Sequence, residues 1–163
     1  MKKPVAREEA EKIIIDRFLI AYQKRFGVEL TIITHRDKPD FEVIDPITNE
    51  HIGIEVTGVY QNEEEAKIQY WAVDDWEKFE GSTDEILSSL NMRLRDKAEK
   101  SKSYIFNGRM FLAIFLGSLV FNQKSDVDFI RNQIVIPDNK FSEIWLIIRD
   151  KDDYSPELYP LQT

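Results

Sequence analysis

The sequence predicts an α/β domain with a mixed β-sheet flanked by helices, in the order α-β-β-β-α-β-α-β. Three observations carry that prediction. Apolar residues recur at helical spacing near the N-terminus and again at 86–98. Two strand-like runs, 38–45 and 52–57, flank a turn. Two nearly continuous apolar runs, 109–117 and 143–149, have the length of strands covered on both faces. Strands in succession followed by helix–strand alternation imply a meander and then crossover connections. The 163 residues are read as a single domain, long enough to bury a core.

Each element has a local cause. Ala6, Ala10, Ile13, Ile14, Phe18, Ala21 and Tyr22 lie three and four residues apart, as one face of a helix requires. Lys24 and Arg25 suit the end of that helix, and Gly27 suits its C-terminal cap. Residues 28–34 are rich in β-branched side chains and predict a strand. The next two strands are joined by Asp45-Pro46-Ile47-Thr48-Asn49-Glu50, where Asp-Pro starts a turn and Asn49 tolerates its tighter dihedrals. Between 60 and 81 the chain is polar, acidic and aromatic; Asn62 is a cap for a short helix through Glu63-Glu64-Glu65, with Trp71 and Trp76 beyond it. A clearer helix starts at Ser82 or Thr83, carries Asp84 and Glu85 in its first turn, and runs to about Lys100 on a core face of Ile86, Leu87, Leu90, Leu94 and Ala98. A central strand at 109–117, a short helix at 126–132 and a last buried strand at 143–149 follow. Residues 151–163, with Pro156 and Pro160, read as a loosely ordered tail.

Composition narrows the function classes. The absence of cysteine excludes a disulfide framework, a thiolate zinc site and a cysteine nucleophile. Met1-Lys2-Lys3-Pro4 leads into Glu8, Glu9 and Glu11 rather than the apolar core of a signal peptide, and no apolar run is long enough to span a bilayer. A cytoplasmic protein without a membrane segment is expected. The formal net charge of −8 counts against tight non-specific DNA binding, which draws on a basic excess. There is no phosphate-binding glycine loop, serine-nucleophile elbow or zinc motif, and His35 and His51 read as isolated surface residues.

Two acids stand out against this background. Asp40 begins one strand and Glu55 lies near the end of the next, so a hairpin can bring both to one end of the sheet. Two carboxylates on rigid strands form a hard, oxygen-rich site suited to Mg²⁺ or Mn²⁺. Glu55 within Ile-Gly-Ile-Glu-Val is expensive to bury unpaired, and Gly53 beside it implies a close approach to the backbone.

Pro39-Asp40 on one strand and Glu55-Val56-Thr57 on the next, within this element order, resemble the PD-(D/E)xK nuclease superfamily, whose members have a restriction-endonuclease-like fold. In topology the resemblance covers roughly residues 8–149; in sequence it rests on these few residues. It implies metal-dependent phosphodiester hydrolysis of nucleic acid, with DNA favoured and a restriction or phage-defence role, using Mg²⁺ or Mn²⁺. Asp40, Glu55 and the Val56 carbonyl are the implied metal ligands. The family's first-helix glutamate falls on Glu11, with Glu8 as the fallback. The chain departs from the motif at Thr57, which stands where the family has lysine and brings no charge to the catalytic centre. Lys97, on a helix ending Arg93-Leu94-Arg95-Asp96-Lys97-Ala98-Glu99-Lys100, is the first substitute and Lys67 the second. Arg93, Lys97 and Lys100 share helical spacing suited to holding a phosphate backbone, while Trp71 and Trp76 are candidates to stack on unpaired bases. The alternative expectation is a catalytically inactive protein on the same scaffold, acting as a binding, immunity or complex-assembly subunit. A homodimer and a protein partner are compatible with both.

Overall fold

The computed structural model describes residues 5–60 and 83–163. The expected short helix after Asn62, Lys67, Trp71 and Trp76 lie outside the described residues. Among those described, three α-helices pack on a mixed sheet of six strands in the linear order β1-β2-β3-β4-β5-β6.

Helix α1 (Val5–Phe26) ends where expected: Gly27 adopts a φ of 69°, and its N–H donates to the Gln23 carbonyl at 2.8 Å. β1 (Thr31–His35), β2 (Phe41–Ile44) and β3 (His51–Val59) form an antiparallel meander. The β2–β3 turn is built by the residues that predicted it. Asp45 Oδ1 accepts from the Ile47 and Thr48 N–H groups at 2.8 and 3.3 Å, and Asn49 takes the positive φ of 60°.

From β3 the chain crosses over through α2 (Thr83–Ser101) to β4 (Arg109–Leu116), parallel to β3. It crosses again through α3 (Lys124–Ile130) and a short 3₁₀ turn (Arg131–Gln133) to β5 (Glu143–Arg149), parallel to β4. The two faces of the sheet then have separate cores. Ile14, Ile15, Phe18 and Tyr22 of α1 meet Phe41, Ile54, Phe111 and Trp145 on one face. Ile86, Leu90 and Leu94 of α2, with Val127 and Ile130 of α3, meet Leu112, Ile114, Ile144 and Leu146 on the other.

The expectation of a loosely ordered tail at 151–163 is overturned. Pro156–Gln162 forms β6, antiparallel to β5. Its prolines are tolerated because β6 is the last strand of the sheet, where an outward position needs no N–H donor. Leu158 enters the α1-side core, while Tyr159 and Leu161 enter the other, so the strand is anchored on both faces. No helix among the described residues is long and apolar enough to cross a membrane.

Candidate functional site

β2 and β3 run antiparallel with Phe41 opposite Ile54, so one further step of register sets Asp40 opposite Glu55. Alternation along the strands decides their direction. Phe41, Val43, Ile54 and Val56 pack beneath α1, which turns Asp40 and Glu55 toward the α2 side. Both are buried, at 2% and 3% exposure.

Each carboxylate is tied to the backbone of the opposite strand. The Val56 N–H donates to Asp40 Oδ2 at 3.0 Å, and the Asp40 N–H donates to Glu55 Oε1 at 3.1 Å. The two acids thus sit opposite one another on adjacent strands. Burial, followed by the neighbouring Asp40 charge, pushes the Glu55 carboxyl up, and Lys97 offsets part of that rise.

Lys97 brings a cation to Glu55. Its ammonium donates to Glu55 Oε2 at 2.9 Å from a position only 7% exposed. The sequence holds the reason. Leu90, Leu94, Lys97 and Ser101 stand four, three and four residues apart, so the lysine occupies the apolar stripe of α2. Its expected companions do not follow it inward: Arg93 and Lys100 are exposed, and Lys100 pairs with Asp96 at 3.2 Å. Thr57 lies two residues beyond Glu55, half-buried and on the same face of β3 by alternation.

Tyr104 completes the centre and was not anticipated. Just after α2, its N–H donates to the Ser101 carbonyl at 3.1 Å, and its hydroxyl donates to Glu55 Oε2 at 2.5 Å. Burial and the bond to Glu55 push the phenol far above its ordinary range, so it remains a donor. An aromatic residue seven positions after a stripe lysine was the available signal. Gly53 has the close neighbours its position implied: a Cβ there would lie 2.7 Å from the Pro39 ring and 3.2 Å from Phe106. The glycine therefore lets the chain at Pro39 fold against β3 immediately before Asp40.

Glu11 has partners of its own. It approaches from the α1 side, where Oε1 meets His35 Nε2 at 3.0 Å and Oε2 accepts from Arg7 Nε at 3.2 Å. His35 is exposed, as expected, but not isolated: it stacks on Phe41 with ring centroids 4.2 Å apart. Through His35, Glu11 reaches β1 on the face that Phe41 shares with α1. Glu8 is half-buried on the same helix. Among the described residues, no three His, Asp or Glu side chains converge as a metal cage.

The donor set at Asp40 and Glu55 nevertheless fits a hard divalent cation in kind. The Asp40 charge adds to what raises Glu55, and a divalent cation between the two carboxylates would relieve that repulsion. The Val56 N–H faces the edge that β2 leaves at Asp40, and strand geometry turns its carbonyl to the same edge. Comparisons with protein-family models, curated proteins and solved structures each return no match.

Proposed function

We propose that this protein is a metal-dependent nuclease with a restriction-endonuclease-like fold and a PD-(D/E)xK-like centre, hydrolysing phosphodiester bonds of nucleic acid, with DNA favoured. The observation that carries the reading is the buried contact between Glu55 and Lys97. A lysine reaches the acidic pair from α2 although the strand position carries Thr57.

In this reading Asp40, Glu55 and the Val56 carbonyl hold Mg²⁺ or Mn²⁺. The bound cation supplies an acidified water and neutralises charge on the phosphate. Lys97 and Tyr104 hold Glu55 in one orientation, and the Lys97 ammonium provides fixed positive charge for the transition state. Thr57 contributes no charge, and Glu11 steadies β1 through His35.

A second reading has its own observation. Both oxygens of Glu55 are already engaged, by the Asp40 N–H, Lys97 and Tyr104. The charge of Glu55 is already met by the ammonium of Lys97 at 2.9 Å. Such a self-neutralised centre suits a non-catalytic binding, immunity or assembly subunit.

Thermal melting with Mg²⁺ or Mn²⁺, alongside a panel of DNA and RNA substrates, separates the two. The nuclease reading expects a metal-dependent Tm rise, worth about 2.7 kcal/mol at a hundred times Kd, that disappears in Asp40→Asn and Glu55→Gln. It also expects cleavage that Glu55→Gln and Lys97→Ala abolish. An equal metal response in wild type and both acid variants sinks the metal site, and a Tm rise without cleavage of any substrate favours the second reading.

A further inference from the structure

The connection from α2 to β4 brings Tyr104 to Glu55 and Phe106 to Gly53, and then passes through Asn107-Gly108. Of the asparagines in the chain, Asn107 is the one followed by glycine. The fold demands that glycine. Its φ is 138°, and a Cβ there would lie 2.8 Å from the His51 carbonyl oxygen, a backbone atom of β3 that strand pairing holds in place.

Asn107 and Gly108 are both exposed and border a cavity of about 520 Å³, with Arg36, Glu42, His51 and Phe106 among its walls. Among the described residues, no hydrogen bond holds the Asn107 side-chain amide. Three other asparagines are held: Asn91, Asn122 and Asn139 donate from Nδ2 to the Gln133, Ser118 and Pro137 carbonyls at 3.1, 2.8 and 2.9 Å. An unheld side-chain amide next to a glycine is open to attack by the glycine nitrogen, because no side chain shields that nitrogen and its backbone turns freely. Water reaches both groups.

We propose that Asn107 is a modification site, whose side-chain amide converts without an enzyme to aspartate and isoaspartate. The Gly108 nitrogen, its proton lost to water, bonds to Asn107 Cγ; the Cγ–Nδ2 bond breaks, and Nδ2 leaves as ammonia. The five-membered succinimide that remains takes up one water. Opening at Cγ gives aspartate, and opening at the main-chain carbonyl carbon gives isoaspartate, with the chain now running through the former side chain. The net change is amide plus water to carboxylate plus ammonium, so no oxidant or cofactor takes part. The new carboxylate adds negative charge beside Glu42, which Arg36 and His51 already contact at 3.4 and 2.6 Å. Isoaspartate also adds one methylene to the main chain between Phe106 and β4, which unseats the ring from its place against Gly53. The site stands without the nuclease reading.

The full wild-type chain, kept folded at mildly alkaline pH and sampled over days, tests this by peptide mapping with mass spectrometry. The mass shift of one amide-to-acid exchange should appear in the peptide bearing Asn107 ahead of any other. It should resolve into two products, of which a protein isoaspartate methyltransferase labels one. Hydroxylamine, which opens the succinimide, should cut the chain between Asn107 and Gly108. Asn107→Gln, whose longer side chain would have to close a six-membered ring, should lose all three signals. Ageing should lower the Tm of wild type and leave that of Asn107→Gln unchanged; equal Tm values for fresh and aged wild type overturn the unseating of Phe106. An Asn107 that stays intact in the folded chain while guanidinium-unfolded chain converts it overturns the proposal, as does conversion of another asparagine at the same rate. Neither outcome touches the nuclease reading, which the acid variants test separately.

Discussion

Two groups of charged side chains on this one sheet use the same chemistry with opposite results. At the amino ends of β3, β4 and β5, the Arg109 guanidinium meets both oxygens of Glu50, at 2.6 and 2.8 Å, and Glu143 at 3.0 Å. That fork is largely exposed, and its hydrogen bonds hold Glu50 below the usual carboxylate range. In the middle of the sheet, Lys97 meets Glu55 at 2.9 Å, yet burial and Asp40 hold Glu55 above that range. A carboxylate and a cation are present in both. Water decides the difference: where it reaches the pair, the partner's attraction prevails, and where it is excluded, desolvation and the second acid prevail. A fold under no other demand gains little from the second arrangement. This contrast is the physical ground for reading Asp40, Glu55, Lys97 and Tyr104 as a working site and the Arg109 fork as a clamp.

The contrast can be broken experimentally. The largest effect is expected for Lys97→Ala, which leaves a buried acid pair without its cation and should cost about 3 kcal/mol at neutral pH in denaturant unfolding. That loss should shrink as pH falls toward 4.5, the ordinary value for Glu55, because the acid can then take up a proton. A loss that does not change with pH would separate Lys97 from the charge of Glu55. Gly53→Ala should come next, at about 1–3 kcal/mol, since its methyl group must displace the Pro39 ring beside Asp40. Tyr104→Phe removes one donor of several to Glu55 and should cost about 1 kcal/mol. Arg109→Ala, in the solvated clamp, should cost under about 1 kcal/mol and lose most of its effect in high salt.

The sharpest form of the comparison is a pair of pH profiles. Glu55 has a raised folded pKa, so above pH 4.5 the folded state holds a proton that the unfolded state has released, and stability falls as pH rises toward the folded value. Glu50 has a lowered folded pKa, so its contribution is present above pH 4.5 and is lost as pH falls through the folded value. Stability of wild type minus Glu55→Gln should therefore decline with rising pH, and wild type minus Glu50→Gln should decline with falling pH. Parallel profiles would remove the distinction between the two groups.

Much of the fold was legible because its signals are local. The Gly27 cap, the Asp45–Asn49 turn, the stripe of α2 and the apolar strands at 109–116 and 143–149 are each specified within a few residues. The strand at Pro156–Gln162 was not, because two prolines argue against any strand except one at a sheet edge, and edge position is a property of the whole sheet. The site divides in the same way. Asp40 and Glu55 were visible from strand spacing, and Lys97 only as the substitute lysine that the resemblance called for, grouped with Arg93 and Lys100 that stay exposed. Tyr104 joins them only because α2 ends where it does. Glu11 had helical spacing in its favour, and its contacts with His35 and Arg7 depend on how α1 lies on β1.

The sequence by itself determined the elements and the turn that pairs Asp40 with Glu55. These follow from backbone preferences and periodicity, which act over a few residues. Only the tertiary structure decided which face each side chain meets and which charges lose their water. That assignment drew Lys97 and Tyr104 to Glu55 and sent Glu11 to His35. Desolvation depends on everything packed around a group, so neighbours distant in the chain decide what a carboxylate or a guanidinium can do.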